Sequence, residues 1–177
     1  MLAFFGFCAL ESTAALWAST YMVQVRGVRP ETAARFAAMF YYGEMSGRFL
    51  NGFVADRFGD RAMIRTGILV ILAGIVVVLL PGVSNTWALI GLAIIGLGAA
   101  PVYPCIIHST PANFGKANSQ SLVGMQMASA YVGSTLMPPL FGLLAQHVSV
   151  ALYPFYLAFF AVLMLVMTTL LNRACAK

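Results

Sequence analysis

The sequence predicts an all-α integral membrane protein, a bundle of six transmembrane helices. Of its 177 residues, 61% are hydrophobic and only 8% are charged, whereas soluble domains average about 45–50% apolar and about 25% charged residues. The mean hydropathy is +0.89, and the apolar residues gather in runs long enough to span about 30 Å of hydrocarbon. These runs lack the strand-like alternation of a transmembrane β-barrel.

Six apolar runs are long enough to cross a bilayer, which takes about 20 helical residues. They cover residues 2–24, 34–55, 62–81, 86–107, 118–145 and 150–172. The third and sixth runs have almost no polar residue in their central turns, whereas the other four carry acids, amides, hydroxyls or prolines. Two triplets that each end in a uniformly apolar helix favour a 3+3 inverted repeat. We therefore expect residues 1–177 to form a single six-helix bundle.

The basic residues of the loops predict the orientation of the helices. One side of the membrane receives Arg57, Arg61, Arg65, Lys116, Arg173 and Lys177, and the other receives Arg26, Arg29 and Arg35. The positive-inside rule places the first side, and with it both termini, in the cytoplasm. We expect a bacterial inner (plasma) membrane location. Because these loops account for the net charge of +5, the sequence indicates no nucleic-acid partner.

The sequence lacks the usual signs of a soluble enzyme or a metal site. Cys8, Cys105 and Cys175 are scattered along the chain, so their spacing predicts neither a disulfide framework nor a metal centre. No zinc-ligand spacing, phosphate-binding glycine loop or nucleophile elbow occurs. We therefore predict no catalytic residue, no metal and no cofactor, and a membrane-embedded enzyme is the weakest hypothesis.

Glu11 is a carboxylate about halfway along the first predicted helix. An ionised side chain at the bilayer centre costs several kcal/mol and usually faces a cavity or a partner. Small residues follow on the same helical face, at Ala15 and Ala18. Two interpretations remain open: a proton- or substrate-binding carboxylate, or a protonated carboxyl group hydrogen-bonded to a neighbouring helix.

The second helix carries a polar stripe. At helical spacing, one face holds Tyr41, Glu44, Arg48 and Asn51. Glu44 and Arg48 stand four residues apart, in the favourable order for an intrahelical ion pair. The stripe is interpreted either as the wall of a water-filled path that contacts a polyhydroxylated solute or as a self-neutralised structural pair. Gly43 and Gly47 also predict a site of close helix packing.

Prolines and polar residues distinguish the fourth and fifth helices. Proline removes a backbone hydrogen bond and tends to kink a helix, so Pro101, Pro104, Pro138 and Pro139 are predicted to form helix-breaking, gating segments. Tyr103 is interpreted as an interfacial aromatic or a substrate contact, and His108 as a solvated loop residue. Gln126 and Ser129 share a face of the fifth helix, where they either contact solute or hydrogen-bond another helix.

The stretch from Gly52 to Arg61 resembles the signature loop of the major facilitator superfamily, Gly-x-x-x-Asp-Arg-x-Gly-Arg-Lys. The matching positions are Gly52, Asp56, Arg57, Gly59 and Arg61, while Asp60 replaces the first basic residue. In that family the loop joins the second and third helices of a six-helix half on the cytoplasmic side. The resemblance implies half of a twelve-helix transporter, with the loop as a conformational latch.

A second resemblance concerns the C-terminal half of fucose-permease-like sugar transporters. It is carried by the proline and glycine placement of residues 96–104 and 137–142. It implies symport of a sugar with H⁺ by alternating access, with a second six-helix half, as a separate chain or in a homodimer, as partner. The alternatives are a non-transporting truncated scaffold or subunit and proton-coupled efflux of another solute.

Overall fold

The computed structural model describes residues 1–80 and 85–175, except for the side chains of residues 55, 56, 116–118 and 175. Within these ranges the secondary structure is entirely helical. The helices are α1 (Leu2–Gln24), α2 (Pro30–Phe58), α3 (Asp60–Leu79), α4 (Asn85–Ala99), α5 (Val102–Phe114), α6 (Lys116–His147) and α7 (Tyr153–Cys175), with a short 3₁₀ helix at Val150–Leu152. Since α4 and α5 form one span, Asn85–Phe114, the chain has the six spans that the sequence predicts.

Five of these six spans are long and apolar enough to cross a membrane. The exception is α2, which contains Glu44 and Arg48 in its central turns. The helices also extend beyond the apolar runs: α2 begins at Pro30 rather than at residue 34 and ends at Phe58. The start of α2 is explained by Pro30, because proline is well suited to the first position of a helix. Both ends of the helix extend beyond the hydrocarbon layer into water, where polar side chains cost little.

The packing of the spans has the symmetry of an inverted repeat. The closest neighbours are α1 with α6 and α7, and α4 with α2 and α3. If the first three spans are exchanged with the last three, the pair α1–α6 becomes the pair α4–α2, and α1–α7 becomes α4–α3. The pairing of the spans therefore agrees with the predicted 3+3 arrangement.

Glycines allow α2 and α4 to approach closely. A Cβ atom added to Gly43 would lie 2.0 Å from the carbonyl oxygen of Ala93, and one added to Gly96 would lie 2.0 Å from that of Phe40. Gly47 similarly packs against Ala100. The predicted small-residue packing site at Gly43 and Gly47 is therefore confirmed, with α4 as the partner helix.

The connection between the second and third helices, which the bounds of the apolar runs predict at residues 56–61, is shorter than expected. Residues 52–58 continue α2, Asp60 begins α3, and only Gly59 lies between the helices. Gly59 has φ 74° and ψ 157°, a conformation that is essentially restricted to glycine. The predicted connection is too long because the loss of apolar residues marks the end of the hydrocarbon layer rather than the end of a helix.

We expect Gly59→Ala to destabilise the protein by about 1–3 kcal/mol, the usual cost of such a backbone conformation for a residue with a Cβ. The matched control is Gly52→Ala, because Gly52 is exposed in α2 and a Cβ there would meet nothing within 4 Å. That control is expected to raise stability by about 0.5–1 kcal/mol through helix propensity. Unfolding in mixed micelles measures both changes in stability. Equal effects of the two substitutions would contradict the backbone conformation assigned to Gly59.

The prolines interrupt a helix at one position. The α4 helix ends at Ala99 and α5 begins at Val102, so the break predicted at Pro101 is present. Pro104 lies in the first turn of α5, where its missing N–H has no intrahelical acceptor. The α6 helix continues through Pro138 and Pro139. Pro138 and Pro139 therefore do not break α6, contrary to expectation, whereas the gating role predicted for the four prolines stays a prediction.

Side chains from two other helices bond the backbone around the α6 prolines. The Tyr156 hydroxyl of α7 donates to the Met137 carbonyl at 2.9 Å, and the Trp17 indole N–H of α1 donates to the Pro138 carbonyl at 3.1 Å. These two hydrogen bonds attach α7 and α1 to α6 at the level of the prolines.

Candidate functional site

Three charged side chains from α1 and α2 lie together. The Arg48 guanidinium forms a hydrogen-bonded ion pair with the Glu44 carboxylate, one turn earlier in α2. Its Nη2 atom also lies 3.9 Å from Oε1 of Glu11 in α1. The three residues are called the Glu–Arg–Glu cluster below. The predicted pair of Glu44 and Arg48 is confirmed, and Glu11 joins it.

Close packing of α2 on α4 explains the unequal exposure of the cluster. Glu44 is only 6% exposed, because Gly96 of α4 approaches the Glu44 backbone so closely that a Cβ there would lie 2.9 Å from its nitrogen. The Arg48 side chain is 62% exposed and that of Glu11 is 25% exposed. The cluster therefore has a buried side at Glu44 and an open side at Arg48.

The cluster contains two carboxylates and one guanidinium. With both acids ionised it carries one net negative charge inside a membrane-spanning bundle, and a single proton makes it neutral. Glu44 and Arg48 are both charged neighbours of Glu11, so Arg48 attracts the Glu11 carboxylate while Glu44 repels it. Of the two carboxyl groups, Glu11 is the more accessible.

A cavity of about 760 Å³ opens between α2 and α5. Arg48 and Asn51 line it from α2, Gly59 and Asp60 from the α2–α3 connection, and Tyr103, Pro104 and His108 from α5. We call it the α2–α5 cavity. Arg48 thus links the Glu–Arg–Glu cluster to a space large enough for a small solute. Tyr41, on the same helix, is 57% exposed and packs its ring edge-on against Phe40.

Tyr103, for which an interfacial position was one of the two interpretations, packs against α1, the helix that carries Glu11. Its ring centroid is 4.9 Å from that of Phe4 and 6.2 Å from that of Phe7, both in α1. Its hydroxyl donates to the sulfur of Met127 in α6 at 3.4 Å. Tyr103 therefore connects α5 to α1 and α6 beside the open side of the cluster.

The Asp60–His108 contact was not predicted. His108, expected to be solvated, has an 83% exposed side chain, but its Nδ1 lies 2.8 Å from the Asp60 carboxylate. Arg61 similarly donates to the Asn113 side-chain oxygen at 3.2 Å. These contacts attach the signature segment to α5. The sequence feature that could have indicated the Asp60–His108 contact is the acid at position 60, where the motif of the resembling family has a basic residue.

The other signature residues lie around this connection. Gly52 and Arg57 are exposed in the last turns of α2. The side chain of Asp56 lies outside the described residues, so its predicted role stays a prediction. The proposed latch function of Gly52, Asp56, Arg57, Gly59 and Arg61 likewise stays a prediction, although Arg61 does contact a second helix.

Gln126 and Ser129 do not join the Glu–Arg–Glu cluster. The Gln126 side-chain oxygen accepts a hydrogen bond from Thr110 of α5 at 3.1 Å. The Ser129 hydroxyl donates to the Gln126 backbone carbonyl at 2.7 Å. The Gln126 contact joins α6 to α5, whereas the Ser129 contact stays within α6, and Gln126 lines a different cavity. A solute contact at either residue stays a prediction.

Comparisons with known proteins support the fold. A comparison with curated proteins gives no match. Among solved structures, the chain is similar to the crystal structure of the peptide transporter POT in complex with sulfate, with a TM-score of 0.78 and 21% sequence identity. The likeness covers 95% of this chain but 36% of that one, so this chain spans only part of the length of that transporter. At this identity the likeness shows a common fold.

The family comparison covers nearly the whole chain. The model of the Major Facilitator Superfamily matches residues 1–174. It thus includes the Glu–Arg–Glu cluster, the Gly59 connection and all six spans. The chain therefore belongs to the major facilitator superfamily, a family of membrane transporters.

Proposed function

We propose that this chain is a six-helix half of a proton-coupled symporter for a small sugar-like solute, working by alternating access. The observation that carries the proposal is the position of Arg48 between the carboxyl groups of Glu11 and Glu44, with its side chain open to the α2–α5 cavity. Such intramembrane charges usually mark a substrate or ion path.

The cluster suggests how a proton and a solute are coupled. In the loaded state Glu11 is protonated and Arg48 remains paired with Glu44, so the cluster is neutral and can rearrange inside the membrane. When the site faces the other side, Glu11 releases its proton to water and its carboxylate moves into the field of Arg48. Competition between the solute and the carboxylates for the guanidinium would link the two events.

A polyhydroxylated solute fits the groups beside the cluster. Asn51 offers both a donor and an acceptor, and Arg48 offers several donors. Tyr41 is 57% exposed and combines an apolar ring with a hydroxyl group. This chemistry, together with the similarity of residues 96–104 and 137–142 to fucose-permease-like proteins, favours a sugar.

A second six-helix half would complete the site. Arg48 is 62% exposed although it lies beside Glu11, near the middle of the α1 span. A charged side chain facing lipid at that depth is costly. We propose that a second half, from another copy or a separate chain, covers this side and closes the solute path. By the positive-inside rule, both termini would face the cytoplasm of a bacterial cell.

Reconstitution tests the proposed function. Proteoliposomes containing the chain are given an inward proton gradient and a panel of labelled monosaccharides and disaccharides. We expect one class of sugar to accumulate above its external concentration and the accumulation to disappear when a protonophore is added. Protein-free liposomes measure leakage. A correctly folded but inert chain would contradict transport by copies of this chain and favour either the scaffold alternative or a second half supplied by a separate chain.

A further inference from the structure

A second cavity lies at the end of the bundle that carries Gly59. It measures about 60 Å³ and lies among α1, α3, α5, α6 and α7. Its apolar walls include Phe4, Ile64 and Ile106, all buried. Its polar lining includes Arg61, Arg65, Ser109, Thr110, Asn113 and Gln126. We call it the basic cavity, and it is separate from the Glu–Arg–Glu cluster.

Two side-chain amides belong to the lining of the basic cavity. The Thr110 hydroxyl lies within hydrogen-bonding distance of the Gln126 amide, at 3.1 Å, and of the Ile106 carbonyl, at 3.0 Å. The Asn113 side-chain oxygen accepts a hydrogen bond from Arg61. Each amide carries an NH₂ group that can donate. Gln126 is only 7% exposed, so its amide is held within the protein.

The charge of the basic cavity is one-sided. Two guanidinium groups line it, from Arg61 and Arg65, and no carboxylate belongs to the lining that the described side chains form. The neighbouring acid in the sequence, Asp60, lines the α2–α5 cavity and is paired with His108. Guanidinium groups and amide donors together match the oxygens of a phosphate group, which accepts several hydrogen bonds at once.

We propose that the basic cavity binds a phosphate group. Its volume of about 60 Å³ is several times the roughly 10–15 Å³ that a single water requires. The cavity lies beside the first turns of α3 and the last turns of α7, at the end of the membrane spans, where lipid headgroups are found. Basic pockets between helices at this depth suit anionic headgroups. A lipid phosphate and free inorganic phosphate share this chemistry.

The experiment measures the thermal stability of the full chain in neutral detergent. One arm adds inorganic phosphate, with chloride at equal ionic strength as the comparison. The other arm adds phosphatidylglycerol, with phosphatidylcholine as the comparison. A rise in Tm with phosphatidylglycerol alone identifies a lipid headgroup, and a rise with phosphate as well identifies a site open to the free anion. The absence of a rise in both arms would overturn the proposal.

Variants test whether the effect comes from this cavity. Replacing both Arg61 and Arg65 by Gln is expected to remove the rise in Tm. The matched control replaces Arg29 and Arg35 by Gln, because these two exposed arginines lie at the opposite end of the bundle. That control should retain the rise. An effect that survives in the first variant, or disappears equally in both, would overturn the assignment.

A third variant keeps the proposal testable if the double arginine variant does not fold. Ser109→Leu fills part of the basic cavity without changing any charge, and the Ser109 hydroxyl bonds only the Ile106 carbonyl of its own helix. We expect this variant to lose the rise in Tm while both arginines remain. An unchanged response to phosphate and to phosphatidylglycerol would contradict binding inside the cavity. The inference is independent of the transport proposal.

Discussion

Glu11→Gln is expected to abolish concentrative sugar uptake while retaining sugar exchange across the membrane. Glutamine has nearly the shape of a protonated glutamate, so the substitution keeps the packing of α1 at this position. It cannot release a proton, however, so the coupling step is lost. Uptake driven by a proton gradient should fall to the level of passive equilibration, whereas counterflow, in which internal sugar exchanges for labelled external sugar, should continue.

The control for this prediction is Glu31→Gln. It makes the same chemical change at an exposed acid in the first turn of α2, far along the helix from Glu44. Both uptake and counterflow should stay as in the unaltered protein. If Glu11→Gln retained full concentrative uptake, Glu11 would be a structural carboxyl group and the proposed proton role would be wrong.

Among substitutions of a glycine by alanine, Gly43→Ala and Gly96→Ala are expected to destabilise the protein most. In each case the new Cβ would lie 2.0 Å from a backbone carbonyl oxygen of the facing helix. Backbone cannot move aside as a flexible side chain can, so α2 and α4 must separate. Overpacking of this kind costs about 1–3 kcal/mol, occasionally more. Unfolding in mixed micelles measures the loss.

Gly124→Ala is the matched control for the two glycine substitutions. Gly124 lies inside α6, and an added Cβ would meet nothing within 4 Å, so the substitution should be neutral or slightly stabilising. Gly43→Ala should also impair transport, because separation of α2 from α4 exposes Glu44. Equal stability of Gly43→Ala and Gly124→Ala would contradict the close approach of these helices.

Much of the fold is readable from the sequence because the bilayer imposes simple rules. Apolar runs identify the six spans, and the spacing of Glu44 and Arg48 identifies their ion pair. Gly43 and Gly47 identify a close helix contact without naming the partner helix. The cytoplasmic position of the termini stays a prediction, because loop charges alone carry it.

The rest depends on contacts between distant residues. No local pattern shows that Arg48 reaches Glu11 in another helix, that Asp60 meets His108, or that Gln126 bonds Thr110. These pairs depend on how the helices are rotated and paired in the bundle. The ends of helices were also predicted incorrectly. Hydropathy shows where the chain leaves the hydrocarbon layer, but the backbone hydrogen bonds of α2 continue beyond that point to Phe58.

The central claim is that the Glu–Arg–Glu cluster couples a proton to a sugar. The most direct test adds the transported sugar to de-energised proteoliposomes and records the external pH with an electrode. The account predicts that the medium becomes alkaline as protons enter with the sugar, and that Glu11→Gln abolishes this signal. Sugar uptake without any pH change, or an unchanged signal with Glu11→Gln, would contradict it.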